Sequence, residues 1–180
     1  RPLGPQEKAM YELVSDMSQK GVARDLFGLP VLEMNPGEDF RAEYLQVVSS
    51  PIDLETIMLR LVNGLGGYDD PAAGVMRFHG DVMLMFANAD AFNTDDEGVQ
   101  RGTALVREYF LDLFAERFGT QEDKVARREL REDRVARAPA RAQTLNAKIM
   151  EPLTAPNLRK KEAAWFMEPV DPRVVLGYLD

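Results

Sequence analysis

An all-α fold, a bundle of four amphipathic helices with a long loop between the first two, is predicted by three features of the sequence. Apolar residues recur at three- and four-residue spacing in four separate stretches. No segment sustains the alternation of a half-buried strand, and capping residues or glycines punctuate the ends of the periodic stretches.

The first stretch runs from Gln6 to about Lys20, with Met10, Leu13, Val14 and Met17 on one face. From Leu26 to Ser50 the periodicity stops, and Gly28, Pro30, Pro36 and Gly37 predict an ordered loop of roughly 20 residues, a length usually tied to function. Asp53 can cap a second helix striped by Leu54, Ile57, Met58 and Leu61 and ending near Asn63-Gly64. Asp70-Pro71 reads as the N-cap and first residue of a third, which turns Val75, Phe78, Val82, Met85, Phe86 and Ala89 inward. The fourth runs from about Val99 to Phe118, with Leu105, Val106, Tyr109, Phe110, Leu113 and Phe114 inward and Gly119 as the stop. Met76, Met83 and Met85 read as core fillers.

The 180 residues suit one domain plus an appendage, which we divide into 1–120, a charged linker or helix 121–139, and a helical extension 140–180. There is no cysteine, no basic-then-apolar leader and no apolar run of about 20 residues, so a reducing compartment is expected and no membrane partner. Thiolate zinc sites are excluded, and His79 is the single histidine. Residues 1–118 hold 10 Lys and Arg against 20 Asp and Glu, a balance of −10, whereas 119–180 hold 12 against 10. The acidic part disfavours direct nucleic-acid binding by residues 1–118 and favours basic partners such as Lys/Arg-rich tails.

Three motifs occur in order: Phe27-Gly28-Leu29-Pro30-Val31, then Tyr44 through Ser50-Pro51-Ile52-Asp53-Leu54, then Met85-Phe86-Ala87-Asn88-Ala89-Asp90-Ala91-Phe92-Asn93. Together, over residues 6–118, they resemble the successive motifs of the bromodomain family. The resemblance implies a left-handed four-helix bundle, no cofactor and no catalysis, and a pocket that binds acetylated lysine. By it, Asn93 is the acetyl-lysine anchor. The residue type suits the task, since a side-chain amide can donate to the acetyl carbonyl while its own carbonyl accepts. Tyr44 matches the loop tyrosine that reaches the acetyl oxygen through a water. Phe27, Pro30 and Val31 match one wall and Val99 the gatekeeper position. Phe92 stands where the family often has tyrosine, and Asn88 matches an asparagine read as bonding loop backbone. An asparagine also suits a helix C-terminus, and a tyrosine with a satisfied hydroxyl suits a core, so both residues keep a purely structural alternative.

Two departures concern the groove and not the pocket. Asp25-Leu26 stands where the family commonly has Trp-Pro, and the loop between Pro30 and Tyr44 is longer than in many members. An unmodified lysine entering an apolar slot would lose its water with no carboxylate expected to compensate, so the neutral acetylated form is favoured. The implied partners are acetylated histone peptides and other proteins of chromatin complexes, and the implied location is nuclear. The alternative is a ligand-incompetent bundle acting as an assembly scaffold. Phe166-Met167-Glu168-Pro169-Val170 and Tyr178 look like the shelf and loop tyrosine again, so 140–180 reads as an incomplete second copy in a tandem arrangement or as an extension.

Asn93-Thr94-Asp95-Asp96-Glu97-Gly98 has the opening spacing of a calcium loop, but Ala104 occupies the twelfth position, where a bidentate glutamate is required. The acidic run is expected to complement the dipole of the fourth helix. His79 near Asp81 has no nucleophile beside it in any motif and is assigned no role.

Overall fold

A computed structural model describes the backbone of residues 1–153 and the side chains through residue 137. Arg1–Lys124 form one compact unit, and the core and pocket described below lie within it. The described residues form eight helices and no strand.

Helix α1 (Pro5–Gln19) starts with proline at its first position, where a missing N–H costs nothing. Its expected stripe, Met10, Leu13, Val14 and Met17, is completely buried. Helix α5 (Leu54–Asn63) is capped by Asp53, whose carboxylate accepts from the Thr56 N–H at 2.8 Å and the Thr56 hydroxyl at 2.7 Å. It ends at Gly64, whose φ of 67° lies in the left-handed region that glycine enters without strain. With α6 (Gly74–Phe92) and α7 (Glu97–Phe118), these helices make the four-helix bundle. Phe78, Val82, Met85, Phe86, Val106 and Phe110 fill its centre.

The stretch between α1 and α5 is not the irregular loop expected from its prolines and glycines. It holds three helices, α2 (Gly21–Phe27), α3 (Val31–Met34) and α4 (Glu38–Val47). The breakers sit between these helices as start and stop signals: Gly28 closes α2, Pro30 opens α3, and Gly37 is the N-cap of α4, with Glu38 and Asp39 in its first turn. Tyr44 and Val48, four residues apart, are buried.

Three further expectations need correction. Helix α6 begins at Gly74 and not at Pro71, because the Asp70 carboxylate first organises a turn, accepting from the N–H groups of Ala72 and Ala73 at 2.9 and 3.2 Å. Gly74 is pressed against the Tyr68 carbonyl, too close for a side chain. Met76 is 64% exposed, one position off the inward stripe of α6, and so fills no core. Leu105 is 52% exposed, because its neighbour Val106 takes the inward position on α7.

Tyr68, unmarked by any motif, is buried edge-on against Phe78 at 5.9 Å. Its hydroxyl donates to Asp81, whose same oxygen accepts from Arg60 at 2.6 Å. Burial, then the bond to Asp81, raises the phenol's pKa.

Helix α8 (Gln121–Leu153) begins with a reciprocal cap, Thr120 and Asp123 each bonding the other's backbone N–H. The charged stretch 121–137 is therefore helical, and it is almost wholly exposed. In the stretch read as a helical extension, Leu145, Ile149 and Leu153 recur at helical spacing where only backbone is described, and the echo at Phe166–Asp180 lies outside the described residues. No described helix is long and apolar enough to cross a membrane.

Candidate functional site

At one end of the bundle, α2, α3 and α4 meet the C-terminus of α6 and the N-terminus of α7 around a cavity of about 250 Å³. One wall comes from Leu26, Phe27 and Val31. Phe27 is held by an edge-on contact with Phe86 at 5.3 Å and by the end of α2 at Gly28, whose N–H donates to Arg24 at 2.9 Å. Pro30 is not part of this wall. It stands at the N-cap of α3, where its carbonyl accepts from Glu33 and Met34 at 3.0 and 3.2 Å, and so it places Val31.

The second wall is a cluster of three rings. Tyr44 on α4 stacks with Phe40 one turn earlier, with centroids 5.9 Å apart and planes 13° apart. Phe92, at the end of α6, meets Tyr44 edge-on at 4.9 Å and Phe40 at 5.6 Å. Burial, reinforced by the field of the Asp53 carboxylate, raises the Tyr44 pKa, so the phenol stays a proton donor at all physiological pH values. Among the described residues no hydrogen bond engages this hydroxyl.

Asn93 is the C-cap of α6 (φ −100°, ψ 53°) and lines the cavity. Its backbone N–H and its side-chain Nδ2 both donate to the Ala89 carbonyl, at 3.0 and 2.9 Å. The C-terminus role and the pocket position are therefore held by the same residue. One Nδ2 hydrogen and the Oδ1 acceptor have no bond among the described residues. The Gln100 side chain reaches back from α7 to the Asn93 carbonyl at 3.1 Å and to that of Thr94. Asp96 caps α7, accepting from Gly98 and Val99 at 2.9 and 3.0 Å, which puts Val99 at the cavity edge. Asn88, also lining, donates to the Ser50 carbonyl at 2.9 Å.

The structure thus gathers Phe27, Val31, Tyr44, Asn88, Phe92, Asn93 and Val99 around one cavity and leaves Pro30 beside it. It adds Phe40, Met85, Ile52 and Ala89. Phe40 carries a signal in the sequence, its i,i+4 spacing to Tyr44, which becomes readable only once that segment is a helix. It also corrects one expectation, since a carboxylate does line the pocket: Asp25 is mostly exposed and pairs with Arg24 at 3.5 Å. That carboxylate is exposed to solvent.

Chemically, the cavity offers apolar and aromatic walls, a protonated phenol, and an amide able to donate and accept. This suits a neutral, slender amide-bearing group. His79 is not part of it. The imidazole packs on Phe114 and Phe110 at 4.7 and 5.6 Å, and desolvation lowers its pKa. Among the described residues, no group of three or more His, Asp or Glu is placed to hold a metal ion.

A bromodomain family model matches residues 10–101, just over half of the chain and all of the segment that builds this cavity. No curated protein matches the chain. With the helical bundle, the cavity among its helix ends and the family match all in the same residues, the chain belongs to the bromodomain family, a family of binding modules that read acetylated lysine in chromatin.

Proposed function

We propose that this pocket binds the side chain of an acetylated lysine in histone tails or other chromatin proteins, and so recruits a chromatin complex in the nucleus without catalysing a reaction. The observation that carries the reading is Asn93, which lines a cavity walled mainly by apolar and aromatic side chains and has one donor and one acceptor left for a ligand. In this reading Asn93 Nδ2 donates to the acetyl oxygen. The Tyr44 hydroxyl donates to a water that bridges to the same oxygen, a contact nearly as favourable as a direct one. Phe27, Val31, Phe92 and Val99 enclose the methyl and the stem.

Selectivity against unmodified lysine follows from desolvation of its ammonium, which costs several kcal/mol in an apolar slot. One anchored amide and a short stem give weak binding, with Kd on the order of 10 μM to 1 mM. The −10 balance of residues 1–118 adds a salt-screened attraction for basic peptides. We assign the reading function to 1–120. The assignment of 121–139 as connector and 140–180 as an incomplete second unit or extension rests on sequence pattern alone.

Titration of wild type and Asn93→Ala with singly and doubly acetylated histone peptides, alongside thermal melts, tests the reading. Binding by wild type, with a folded variant that does not bind, supports it. The absence of any Asn93-dependent signal refutes it and favours an assembly scaffold, the reading to which Asp25-Leu26 in place of the family's Trp-Pro lends support.

A further inference from the structure

Gly102 lies within α7 and is buried. Its backbone does not call for glycine, since the positive-φ glycines of the chain are Gly64, Gly66 and Gly67 among the described residues. Alanine would form the better helix here. What excludes a side chain is space: a Cβ on Gly102 would meet Leu26 Cδ1 at 2.6 Å and Val22 Cγ1 at 3.4 Å. Gly102 is therefore a notch in α7, and the tip of Leu26 fills it.

Leu26 is also a wall of the pocket, and Val99, one turn before Gly102 on α7, is another. Leu26 thus reaches α7 at Gly102 while it lines the pocket. The pocket that Leu26 and Val99 border measures about 250 Å³.

We propose that Gly102 determines acyl specificity: by seating Leu26 against α7 it widens the pocket beside Val99, so that acyl-lysines one or two carbons longer than acetyl are admitted. The inference rests on the acyl-lysine reading of the pocket. Gly102 touches no ligand and acts through Leu26, as a positioning residue. With a methyl at position 102 the tip of Leu26 must give way, and Leu26 borders the cavity.

The experiment is calorimetric titration of one basic peptide carrying a single acetyl-, propionyl- or butyryl-lysine. It compares wild type, Gly102→Ala, the double variant Gly102→Ala/Leu26→Ala, and Leu26→Phe. Wild type should bind the three peptides with similar affinity. Gly102→Ala should lower the butyryl-to-acetyl affinity ratio by about tenfold or more, the discrimination a pocket achieves over a methylene. The double variant should restore the ratio. Leu26→Phe, too large for the notch and leaving α7 untouched, should lower it even if Gly102→Ala fails to fold. If wild type binds the acetyl peptide but loses about tenfold per added carbon, the inference is overturned and the acetyl-lysine reading stands. Substitutions that weaken all three peptides equally would overturn it too, for Gly102 is then only a packing residue. If wild type binds none of the peptides, both fall.

Discussion

The Asn88 side chain on α6 donates to the Ser50 carbonyl at 2.9 Å, joining segments 38 residues apart. Ser50 leads into Pro51 and Ile52, and Ile52 lines the cavity, so this bond ties a pocket-lining segment to α6. Asn88→Ala should cost about 0.5–1.5 kcal/mol, the net worth of one such bond, read from the urea midpoint. Acetyl-peptide affinity should fall with it. An unchanged midpoint would mean that the loop is held in place without this bond.

Tyr44→Phe removes a hydroxyl that forms no hydrogen bond among the described residues, while its ring contacts with Phe40 and Phe92 remain. The melting temperature should stay within about a degree or two of wild type, as for a change of less than 0.5 kcal/mol. Affinity for an acetylated peptide should drop severalfold. Equal affinity would remove the water-bridged contact from the mechanism.

Phe40 and Phe110 give a contrast between site and core. Phe110 is completely buried between α6 and α7, and Phe110→Ala should cost about 3–5 kcal/mol. Phe40 is only half-buried, at the cavity wall, so Phe40→Ala should cost clearly less in stability while loosening the ring cluster around Tyr44. Chemical denaturation paired with peptide titration separates the two. Phe40→Ala should fall mainly on binding and Phe110→Ala mainly on folding.

Asp53→Ala deletes the cap of α5 and leaves the Thr56 N–H without its partner. The expected loss is about 0.5–2 kcal/mol, and Asp53→Asn should recover most of it, because a neutral amide oxygen also caps. Stability measured by denaturant at pH 7 checks both.

His79 confers a pH dependence of defined sign. Its folded pKa lies below 6.5 because burial disfavours the imidazolium. As pH falls through about 6.5 the unfolded chain takes up a proton before the folded one does, so stability declines until the folded histidine is also protonated. His79→Leu should flatten the melting temperature between about pH 7.5 and 5.5. The lowered pKa values of Asp70 and Asp123 act in a separate window, their contribution being lost only as pH falls below the carboxylate range.

The bundle was largely legible in the sequence where burial and periodicity coincide. Met10, Leu13, Val14 and Met17 leave only one way to place α1, and Asp53 and Gly64 mark α5 by local chemistry. Helices α2, α3 and α4 were not legible, because helices of 4 to 10 residues are set by tertiary burial more than by propensity. It is the packing of Tyr44 and Phe40 against Phe92, distant in sequence, that makes α4 worth forming. On α7 the run of apolar residues from Leu105 to Phe114 covers most of the helix surface, so only the neighbouring helices decide that Val106 turns in and Leu105 out. At the pocket, seven of the residues singled out from the sequence border the cavity. Phe40 escaped notice, and Leu26 was read as a feature of the groove and not of the pocket, because their places depend on the path of the α1–α5 segment.

The Gln100 side chain, bonded to the carbonyls of Asn93 and Thr94, bears on time as well as shape. The turn that carries Asn93 is braced from α7, so a peptide should meet an ordered rim, and association should run at an ordinary ~10⁶ M⁻¹s⁻¹. At a Kd near 100 μM that rate corresponds to a departure about a hundred times per second. Each visit to a mark would then last on the order of ten milliseconds. If the proposed reading holds, such a module would sample acetylated peptides by rapid exchange and leave each acetyl group open to removal between visits.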